Sequence, residues 1–326
     1  MVIIWNLGFG DWKLIDFGKI NKGYGKNSLI AYFQYLIVKG FSLFINLLPE
    51  NLSLWVGRGL GWMAFHLARE RQKVALQNLH IAFDQEKSKR EIHAIAKRTF
   101  QNLGMTAVEF FRIPRMDVET FKRKVEVVGR EIAEEVLYNK KGALLLLSHL
   151  GNWEMMGLMS KVLENPIMVI ARPIKKNRWL DRMVSEIREA TGLEVISTGK
   201  ASRKVIQALS QNRLVGILID QRAKRSEGVW VDFFGRTAPT TPALAVLAMR
   251  TGSPVLPVFM IRNGYRKHRL LVQEPLQFAD TGDVKKDVET NTQLINHTLE
   301  SMIRQYPDQW FWVHRRWERK KRVHDR

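Results

Sequence analysis

The sequence predicts an α/β fold in which a helix-covered, largely parallel mixed sheet follows a helical, membrane-associated region. Residues 29 to about 135 repeat apolar side chains at three- and four-residue steps, as amphipathic helices do. Later residues form short β-rich runs that alternate with helical stretches, a pattern typical of a parallel sheet. We divide the 326 residues into an extension (1–28), a helical region (29–135) and an α/β core (136–326), with 29–326 as one integrated unit.

The core contains five runs that predict strands and three stretches that predict helices. The strands are expected at Ala143 to Leu147, Ile167 to Ala171, Leu214 to Ile219, Val229 to Phe234 and Val255 to Ile261. The helices are expected at Ala201 to Ser210, at Pro242 to Met249, and from about Lys286 to Tyr306, before Pro307.

The helical region begins with an apolar run, Leu29 to Leu48, that is long enough to cross a bilayer but contains Gln34, Lys39 and Asn46. Three structures remain open for it: a helix that crosses the membrane, a helix that lies in the membrane interface, and a buried core helix. Of these we favour membrane contact, since Trp55, Trp62 and Phe65 follow the run.

Charge and composition exclude several classes of chemistry. The formal net charge of +20 predicts anionic partners such as a phospholipid surface, an acidic protein or nucleic acid. The absence of cysteine excludes disulfides, thiolate metal sites and a cysteine nucleophile. The first 28 residues lack the features of a secretory signal, so we do not expect export.

The stretch LLLLSHLGNWEMMG, from Leu144 to Gly157, predicts a catalytic base. A buried strand ends there, the chain turns at Gly151, and Asn152 caps a helix, so His149 lies at the carboxyl end of a strand. Glu154, in the first turns of that helix, is then expected to reach one ring nitrogen and leave the other free to accept a proton. The alternative is a histidine and a glutamate that only support a helix start.

Several blocks in this sequence carry a resemblance to a known family. SHLGNWE resembles the signature of the bacterial late acyltransferases of lipid A synthesis, the lauroyl/myristoyl transferase family, within the lysophospholipid (glycerolipid) acyltransferase-like superfamily. The other matching blocks, which extend the resemblance over about Leu47 to Trp317, are RERQKVALQNL (Arg69, Arg71, Asn78, Leu79), NLGMTAVEFFR (Asn102, Glu109), ARPIKKNRW, ILIDQR with GVWVDFFGRTAP, and PDQWFWVHRRW.

The resemblance implies the glycerolipid acyltransferase type of fold and transfer of a fatty acyl chain from an acyl carrier protein thioester to a hydroxyl of a lipid A precursor. His149 would take the hydroxyl proton, oriented by Glu154. Arg172, Arg178, or backbone amides at the Gly151–Asn152 turn would stabilise the oxyanion. We expect no metal and no cofactor, the acyl donor being a co-substrate.

Two further pairs follow predicted strands. Asp220 and Gln221 end the run LVGILIDQR, at the same sheet edge as His149 if the strands are parallel, and we interpret them as substrate-positioning residues. Gly235 and Arg236, in FFGRTAP, are expected to allow close approach of a substrate chain or headgroup. Ordinary turn geometry explains either pair equally well.

The C-terminal run WFWVHRRWERKKR mixes aromatic and basic residues, as a membrane interface does. We expect Trp312, His314, Arg315 and Arg316 to contact lipid headgroups. The expected partners are therefore an acyl carrier protein, an anionic glycolipid acceptor and the cytoplasmic leaflet of the bacterial inner membrane.

Charge around the apolar run bears on how the chain attaches. Four lysines precede Leu29, against Arg58 alone in the twenty residues after Leu48, so a crossing would put His149 outside the cytoplasm. We therefore predict monotopic attachment, with His149 on the cytoplasmic side.

Two other functions stay open. One is an acyltransferase of the same fold that acts on another glycolipid or a lysophospholipid, with acyl-coenzyme A as a possible donor. The other is a nucleic-acid-binding protein, since aromatic side chains among arginines also suit base stacking. No zinc-finger spacing, RRM signature or KH loop supports the second, and we expect no nucleic-acid partner.

Overall fold

The structure is a computed structural model that describes residues 24–197 and 201–317. The predicted extension 1–28 lies outside these residues up to position 23, and the predicted basic residues after Trp317 lie outside them as well. The α-helices are α1 (Tyr24–Leu47), α2 (Glu50–Leu67), α3 (Arg69–Phe83), α4 (Lys89–Arg112), α5 (Val118–Lys124), α6 (Arg130–Tyr138), α7 (Met159–Val162), α8 (Arg178–Glu189), α9 (Ala201–Ser210), α10 (Ala243–Thr251) and α11 (Val284–Gln305).

A seven-stranded mixed sheet forms the centre of the molecule. The strands are β1 (Val125–Val128), β2 (Ala143–Leu147), β3 (Met168–Ala171), β4 (Glu194–Ser197), β5 (Leu214–Leu218), β8 (Val255–Asn263) and β9 (Lys267–Val272). Their order is β1-β9-β8-β2-β5-β3-β4, and every neighbouring pair except β8–β9 is parallel. The two other strands, β6 (Val229–Phe233) and β7 (Arg236–Thr240), form a separate hairpin.

The predicted fold class is confirmed, and the five predicted strands lie within a few residues of their expected bounds. Two expectations are corrected. The helical region to residue 135 includes β1, which pairs with β9 in the main sheet. The predicted strand at Val229 belongs to the hairpin and not to the main sheet.

The first two helices expose much of their apolar surface. Among the described residues, one helix is long and apolar enough, over Leu29–Leu47, to cross a membrane by length and composition. In α1, Leu29 and Phe33 are more than 60% exposed, and in α2 Trp55 is 67% exposed. Phe65, predicted to face the interface, is instead buried in the core and packs on Phe100 of α4.

Glycines set the spacing between α2 and α4. A Cβ on Gly57 would lie 2.7 Å from the Gly104 carbonyl oxygen, and one on Gly61 or Gly104 would overlap the backbone of the opposite helix. The two helix backbones therefore pack in direct contact. This contact holds α4, which carries the buried Glu109, against the rest of the helical region.

The segment Gln309–Trp317, which we call the C-terminal strap, is core and not membrane surface. Trp310, Trp312 and Arg316 are fully buried. The indole rings of Trp310 and Trp312 meet edge to face with centroids 4.5 Å apart. Burial of such rings removes a large apolar area from water, which explains why the strap packs inward.

The expectation that Trp312 and Arg316 contact headgroups is therefore wrong. Arg316 donates to the Pro239 carbonyl and, at 2.6 Å, to the Thr240 hydroxyl, and burial lowers its pKa to about 10. Arg315 reaches the surface and lies 3.5 Å from a carboxylate oxygen of Glu70.

We predict that Gly104→Ala destabilises the fold. The new methyl group would force α2 and α4 apart, and overpacking of this kind costs about 1–3 kcal/mol of the free energy of unfolding. Thermal unfolding in detergent measures the loss. Gly59→Ala is the control, because nothing lies within 4 Å of its added Cβ, and it should leave Tm unchanged or raise it. Equal Tm values for Gly104→Ala and the wild type would contradict the close packing.

Candidate active site

His149 and Asp220 meet at the carboxyl edge of the sheet. β2 and β5 are parallel neighbours that pair Leu147 with Leu218, and the two polar residues follow these strand ends. His149 Nδ1 lies 2.9 Å from Asp220 Oδ1, and the His149 main-chain amide donates to Asp220 Oδ2 at 3.1 Å. The carboxylate therefore holds both the ring and the backbone of His149.

Asp220 is sealed from solvent and accepts a third hydrogen bond, 2.9 Å long, from the Trp310 indole nitrogen. Burial alone would raise the pKa of this carboxyl. Electrostatic attraction to His149 and the hydrogen bonds that His149 and Trp310 donate outweigh burial. The pKa of Asp220 therefore lies below its ordinary value. Asp220 is thus a carboxylate at neutral pH, and His149 donates from Nδ1.

The second ring nitrogen of His149 is thereby left as the acceptor. The Gln221 amide nitrogen lies 3.4 Å from His149 Nε2. The rings of Trp153 and Phe311 flank the imidazole, with centroids 5.1 and 5.7 Å away. These contacts restrict the ring to one orientation, so the geometry suits a general base at Nε2.

The expectation that Glu154 reaches the His149 ring is wrong. Glu154 forms a bidentate ion pair with Arg188 of α8, at 2.9 and 2.7 Å. The physical reason is local: after a turn at Trp153 the chain enters a 3-10 helix at Met155–Leu158, which directs the carboxylate toward α8. Burial raises the pKa of Glu154, but Arg188 overcomes that effect and lowers it.

Two main-chain amides of the turn after His149, those of Gly151 and Asn152, are not free to bind an oxyanion. Gly151 has φ +65°, and its amide donates to the Gln309 carbonyl at 3.0 Å. The Asn152 amide donates to the Met260 carbonyl at 2.8 Å. Both groups are bound within the protein, so the predicted oxyanion role of Gly151 and Asn152 amides is incorrect.

Asn152 instead fastens the turn to a buried charge pair. Its side-chain nitrogen donates to Glu109 Oε2 at 2.7 Å, and its side-chain oxygen accepts the Met155 amide at 3.2 Å. The N-cap of the 3-10 helix Met155–Leu158 is Glu154, so the prediction that Asn152 is the cap is corrected. Glu109 in turn pairs with Arg262 of β8. Burial works against the Glu109 carboxylate, but Arg262 and the nearby His268 keep its pKa below the ordinary value.

A cavity of about 990 Å³ opens beside His149. Its wall is mostly apolar and includes side chains of β2, β3, β5 and β8, such as Leu147, Val169, Ile217 and Val258. Glu154 and Arg188 also line it, and Arg172, Lys175, Lys176 and Arg222 form a basic rim. Among the described residues, no group of His, Asp and Glu side chains is placed to hold a metal ion.

The remaining predicted site residues divide between the cavity and the surface. Gln221 and Arg172 line the cavity, as His149 does. Arg178 does not, because it starts α8 and stacks on the neighbouring Trp179 ring at 4.5 Å. Gly235 lies in the turn of the β6–β7 hairpin, Arg236 begins β7 and accepts the Trp317 indole at its carbonyl, and neither residue lines the cavity.

The strap also contributes His314 to the cavity wall. Burial lowers the pKa of His314 to about 3, so its imidazole is neutral at physiological pH. Asn78 of α3 donates from its side-chain nitrogen to the carbonyls of Trp312 and His314, each at 2.6 Å. Arg71 of the same helix donates to the Val313 carbonyl at 3.3 Å.

Comparison with known proteins places these residues in a family. A model of the family described as "Bacterial lipid A biosynthesis acyltransferase" matches residues 24–319. The chain belongs to this acyltransferase family. The resemblance drawn from the sequence blocks is thereby confirmed.

Individual relatives of this acyltransferase differ in the glycolipid that their names specify. The lipid A biosynthesis lauroyltransferase of Escherichia coli is 26% identical over 272 residues, 83% of this chain and 87% of the relative. The E. coli lipid A biosynthesis myristoyltransferase is 25% identical, over 78% of this chain and 77% of the relative. The phosphatidylinositol mannoside acyltransferase of Mycolicibacterium smegmatis is 29% identical over 64% of this chain and 67% of the relative.

Contacts in the structure give a physical role to residues of several matching sequence blocks. Arg71 and Asn78 hold the strap, and Glu109 holds the turn after His149. Sequence reasoning missed Trp310 as a site residue, and it assigned His314 to headgroup contact and not to the cavity that His149 lines. A signal was available, since a histidine and a tryptophan within an apolar run are as consistent with a buried site as with a membrane interface.

We predict that Asp220→Asn lowers kcat by about 10²- to 10⁴-fold with little change in KM, because the amide no longer fixes the Nδ1–H tautomer or stabilises the imidazolium.

Glu154→Gln should lower kcat less than about tenfold, but should destabilise the fold by about 3 kcal/mol, since Arg188 stays buried without its ion partner. Steady-state kinetics and thermal unfolding of both variants measure these effects.

The pH dependence of the fold's stability follows from the lowered pKa of Glu154. Because the folded-state pKa of Glu154 is lowered, its stabilising effect is present above its ordinary pKa and is lost as the pH falls through the lowered value. Glu154→Gln should therefore flatten the acid side of the stability profile. A larger kcat loss in Glu154→Gln than in Asp220→Asn would instead support Glu154 as the orienting acid.

Proposed function

We propose that this acyltransferase moves a fatty acyl chain from an acyl carrier protein thioester to a hydroxyl of a lipid A precursor. The observation that carries the proposal is the His149–Asp220 pair at a large, mostly apolar cavity with a basic rim. The apolar wall suits an acyl chain, and the rim suits the phosphates of an anionic glycolipid or of the donor.

The chemistry requires one base that returns its proton. His149 Nε2 takes the proton of the acceptor hydroxyl as the oxygen attacks the thioester carbonyl carbon. The C–S bond then breaks, the thiolate leaves, and the imidazolium gives the proton to that sulfur. The products are an ester and a thiol, and Asp220 stabilises the imidazolium between the two steps.

The volume of the cavity suits a fatty acyl chain, and the charge of the protein suits an acidic carrier protein and an anionic glycolipid. The cavity volume of about 990 Å³ lies at the upper end of the range for ligand pockets, about 300–1,000 Å³. The net charge of +20 favours rapid encounter with an acidic carrier protein. Among the rim residues, Arg172, Lys175 and Lys176 are exposed and close to the opening.

The acceptor class has a second candidate. Relatives named as phosphatidylinositol mannoside acyltransferases also match the chain, at 29% identity against 26% for the lipid A lauroyltransferase. Both acceptors carry phosphate and sugar hydroxyls, for which a basic rim and a histidine base are equally suited. We favour the lipid A precursor because its relatives match a larger share of the chain.

We also propose that the chain lies on the cytoplasmic face of the inner membrane without crossing it. The exposed apolar residues of α1 continue onto α2, where Trp55, Trp62 and Leu67 are exposed. α1 is fastened beside the cavity rim, since Asn177 donates to the Ala31 carbonyl at 2.8 Å. A helix pair in the interface would bring the cavity opening close to lipid acceptors.

We predict that the purified enzyme uses acyl carrier protein thioesters with a kcat/KM at least tenfold above that for the matching acyl-coenzyme A. The rate should fall as ionic strength rises toward physiological values, because salt screens the attraction between a basic enzyme and an acidic donor.

His149→Ala should lower kcat about 10²- to 10⁴-fold. Transfer to a lipid A precursor and to phosphatidylinositol mannoside, followed by mass spectrometry, provides the measurement.

His297→Ala is the matched control, because His297 is exposed on α11, bonds to Gln293 through its ring and does not line the cavity. It should keep wild-type rates. A salt-independent KM for the carrier protein, or a preference for acyl-coenzyme A, would contradict the proposed donor. Half of the wild-type turnover in His149→Ala would contradict the proposed base.

We predict that a cysteine introduced at Asn27 stays shielded from membrane-impermeant thiol reagents in intact spheroplasts. The chain contains no natural cysteine, so the label reports this position alone. An interfacial α1 keeps both the N-terminus and His149 in the cytoplasm. Permeabilised spheroplasts should label fully and serve as the control. Ready labelling of intact spheroplasts would show that α1 crosses the membrane.

A further inference from the structure

His314 is held rigidly at the wall of the cavity that His149 lines. Its main-chain amide donates to the Phe311 carbonyl at 3.2 Å, and its carbonyl accepts the Asn78 side chain at 2.6 Å. Since Asn78 also binds the Trp312 carbonyl, one buried amide fixes the strap on both sides of Val313. The backbone of His314 is therefore positioned by α3.

The ring of His314 has unused hydrogen-bonding capacity. Within residues 24–197 and 201–317, neither ring nitrogen has a hydrogen-bond partner, and neither is among the sealed polar atoms that lack one. The cavity is the space to which the ring is open. His149 lines the same cavity, and the ring of Phe311, three residues before His314 in the strap, lies 5.7 Å from the His149 ring between centroids. A neutral imidazole in this place offers one N–H donor and one acceptor.

The reaction needs a hydrogen-bond donor, and three main-chain amides beside the His149 ring are already engaged. Attack on a thioester places negative charge on the carbonyl oxygen, which must be stabilised by preorganised donors. The amides of His149, Gly151 and Asn152 are bound to Asp220, Gln309 and Met260. These three amides are therefore not free to bind the oxyanion, and a side chain on the cavity wall is placed to supply a donor.

We propose that His314 is a catalytic residue that donates its ring N–H to the thioester carbonyl oxygen as that oxygen becomes the oxyanion. This inference rests on the proposed acyl transfer. His314 keeps its proton throughout, while His149 carries the hydroxyl proton to the leaving sulfur, so the proton balance of the reaction is unchanged.

A neutral donor has a physical advantage over a cation here. His149 must become positively charged during the reaction, and a second positive charge beside it would oppose that step. A neutral imidazole stabilises the oxyanion without this repulsion, as a dipole fixed in a partly apolar site. The burial that keeps His314 neutral is thus suited to the role.

The test compares His314→Leu, which removes the donor, with His314→Gln, which keeps an N–H group. We expect kcat to fall about 10²- to 10³-fold in His314→Leu, the usual effect of losing one oxyanion donor, with KM for both substrates within about threefold. His314→Gln should recover at least tenfold of the lost rate. His297→Leu and His297→Gln are the matched controls and should behave as the wild type.

Thermal unfolding separates this role from a structural one. Both His314 variants should keep a cooperative transition within a few degrees of the wild type. If His314→Leu does not fold, the comparison is made between His314→Gln and His314→Asn, whose shorter amide should be at least tenfold slower. A kcat within threefold of the wild type in folded His314→Leu would overturn the proposal, as would equal rates for the donor-bearing and donor-lacking variants.

The experiment distinguishes failure of the role proposed for His314 from failure of the proposed function. Absence of transfer by the wild type from a thioester to either glycolipid would count against the proposed function. Transfer by the wild type that persists in His314→Leu would count only against the role of His314.

Discussion

The site depends on one buried carboxylate. Asp220 binds the ring of His149, the backbone of His149 and the indole of Trp310, so it joins two sheet strands and the C-terminal strap. A buried carboxylate is stable only when its acceptor sites are filled, and three donors fill them here. The same contacts that keep Asp220 ionised therefore assemble the base, its ring orientation and the adjacent cavity wall.

The helical region supports that arrangement from outside the sheet. Asn78 and Arg71 of α3 bind strap carbonyls, and Glu109 of α4 binds Asn152 in the turn after His149. Glycine contacts between α2 and α4 in turn hold α4 in place. The exposed apolar faces of α1 and α2 thus belong to a unit that also positions the candidate site, which links the proposed membrane contact to the geometry around His149.

Sequence patterns predicted the central strands because buried parallel strands are continuous apolar runs, as in Ala143–Leu147. They missed β1, β4, β7 and β9, which are four to six residues long and mix polar with apolar side chains, as in Glu194–Ser197 and Lys267–Val272. The sheet edge was predictable too, since His149, Asp220 and Gln221 each follow a strand. The pairing was not: spacing alone favoured Glu154, and only the register of β2 against β5 shows that Asp220 is the acid. The strap was misassigned because aromatic and basic residues suit a membrane interface and a polar-lined core alike.

The tautomer of the neutral His149 ring shows directly whether Asp220 orients it. In ¹⁵N-histidine-labelled enzyme, at a pH where the ring is neutral and with the His149→Ala spectrum for assignment, we expect a protonated Nδ1 and an unprotonated Nε2. Asp220→Asn should abolish this preference, while Glu154→Gln should leave it intact. A protonated Nε2 in the wild type, or a tautomer that changes in Glu154→Gln but not in Asp220→Asn, would contradict the assignment of Asp220 as the acid that orients the base.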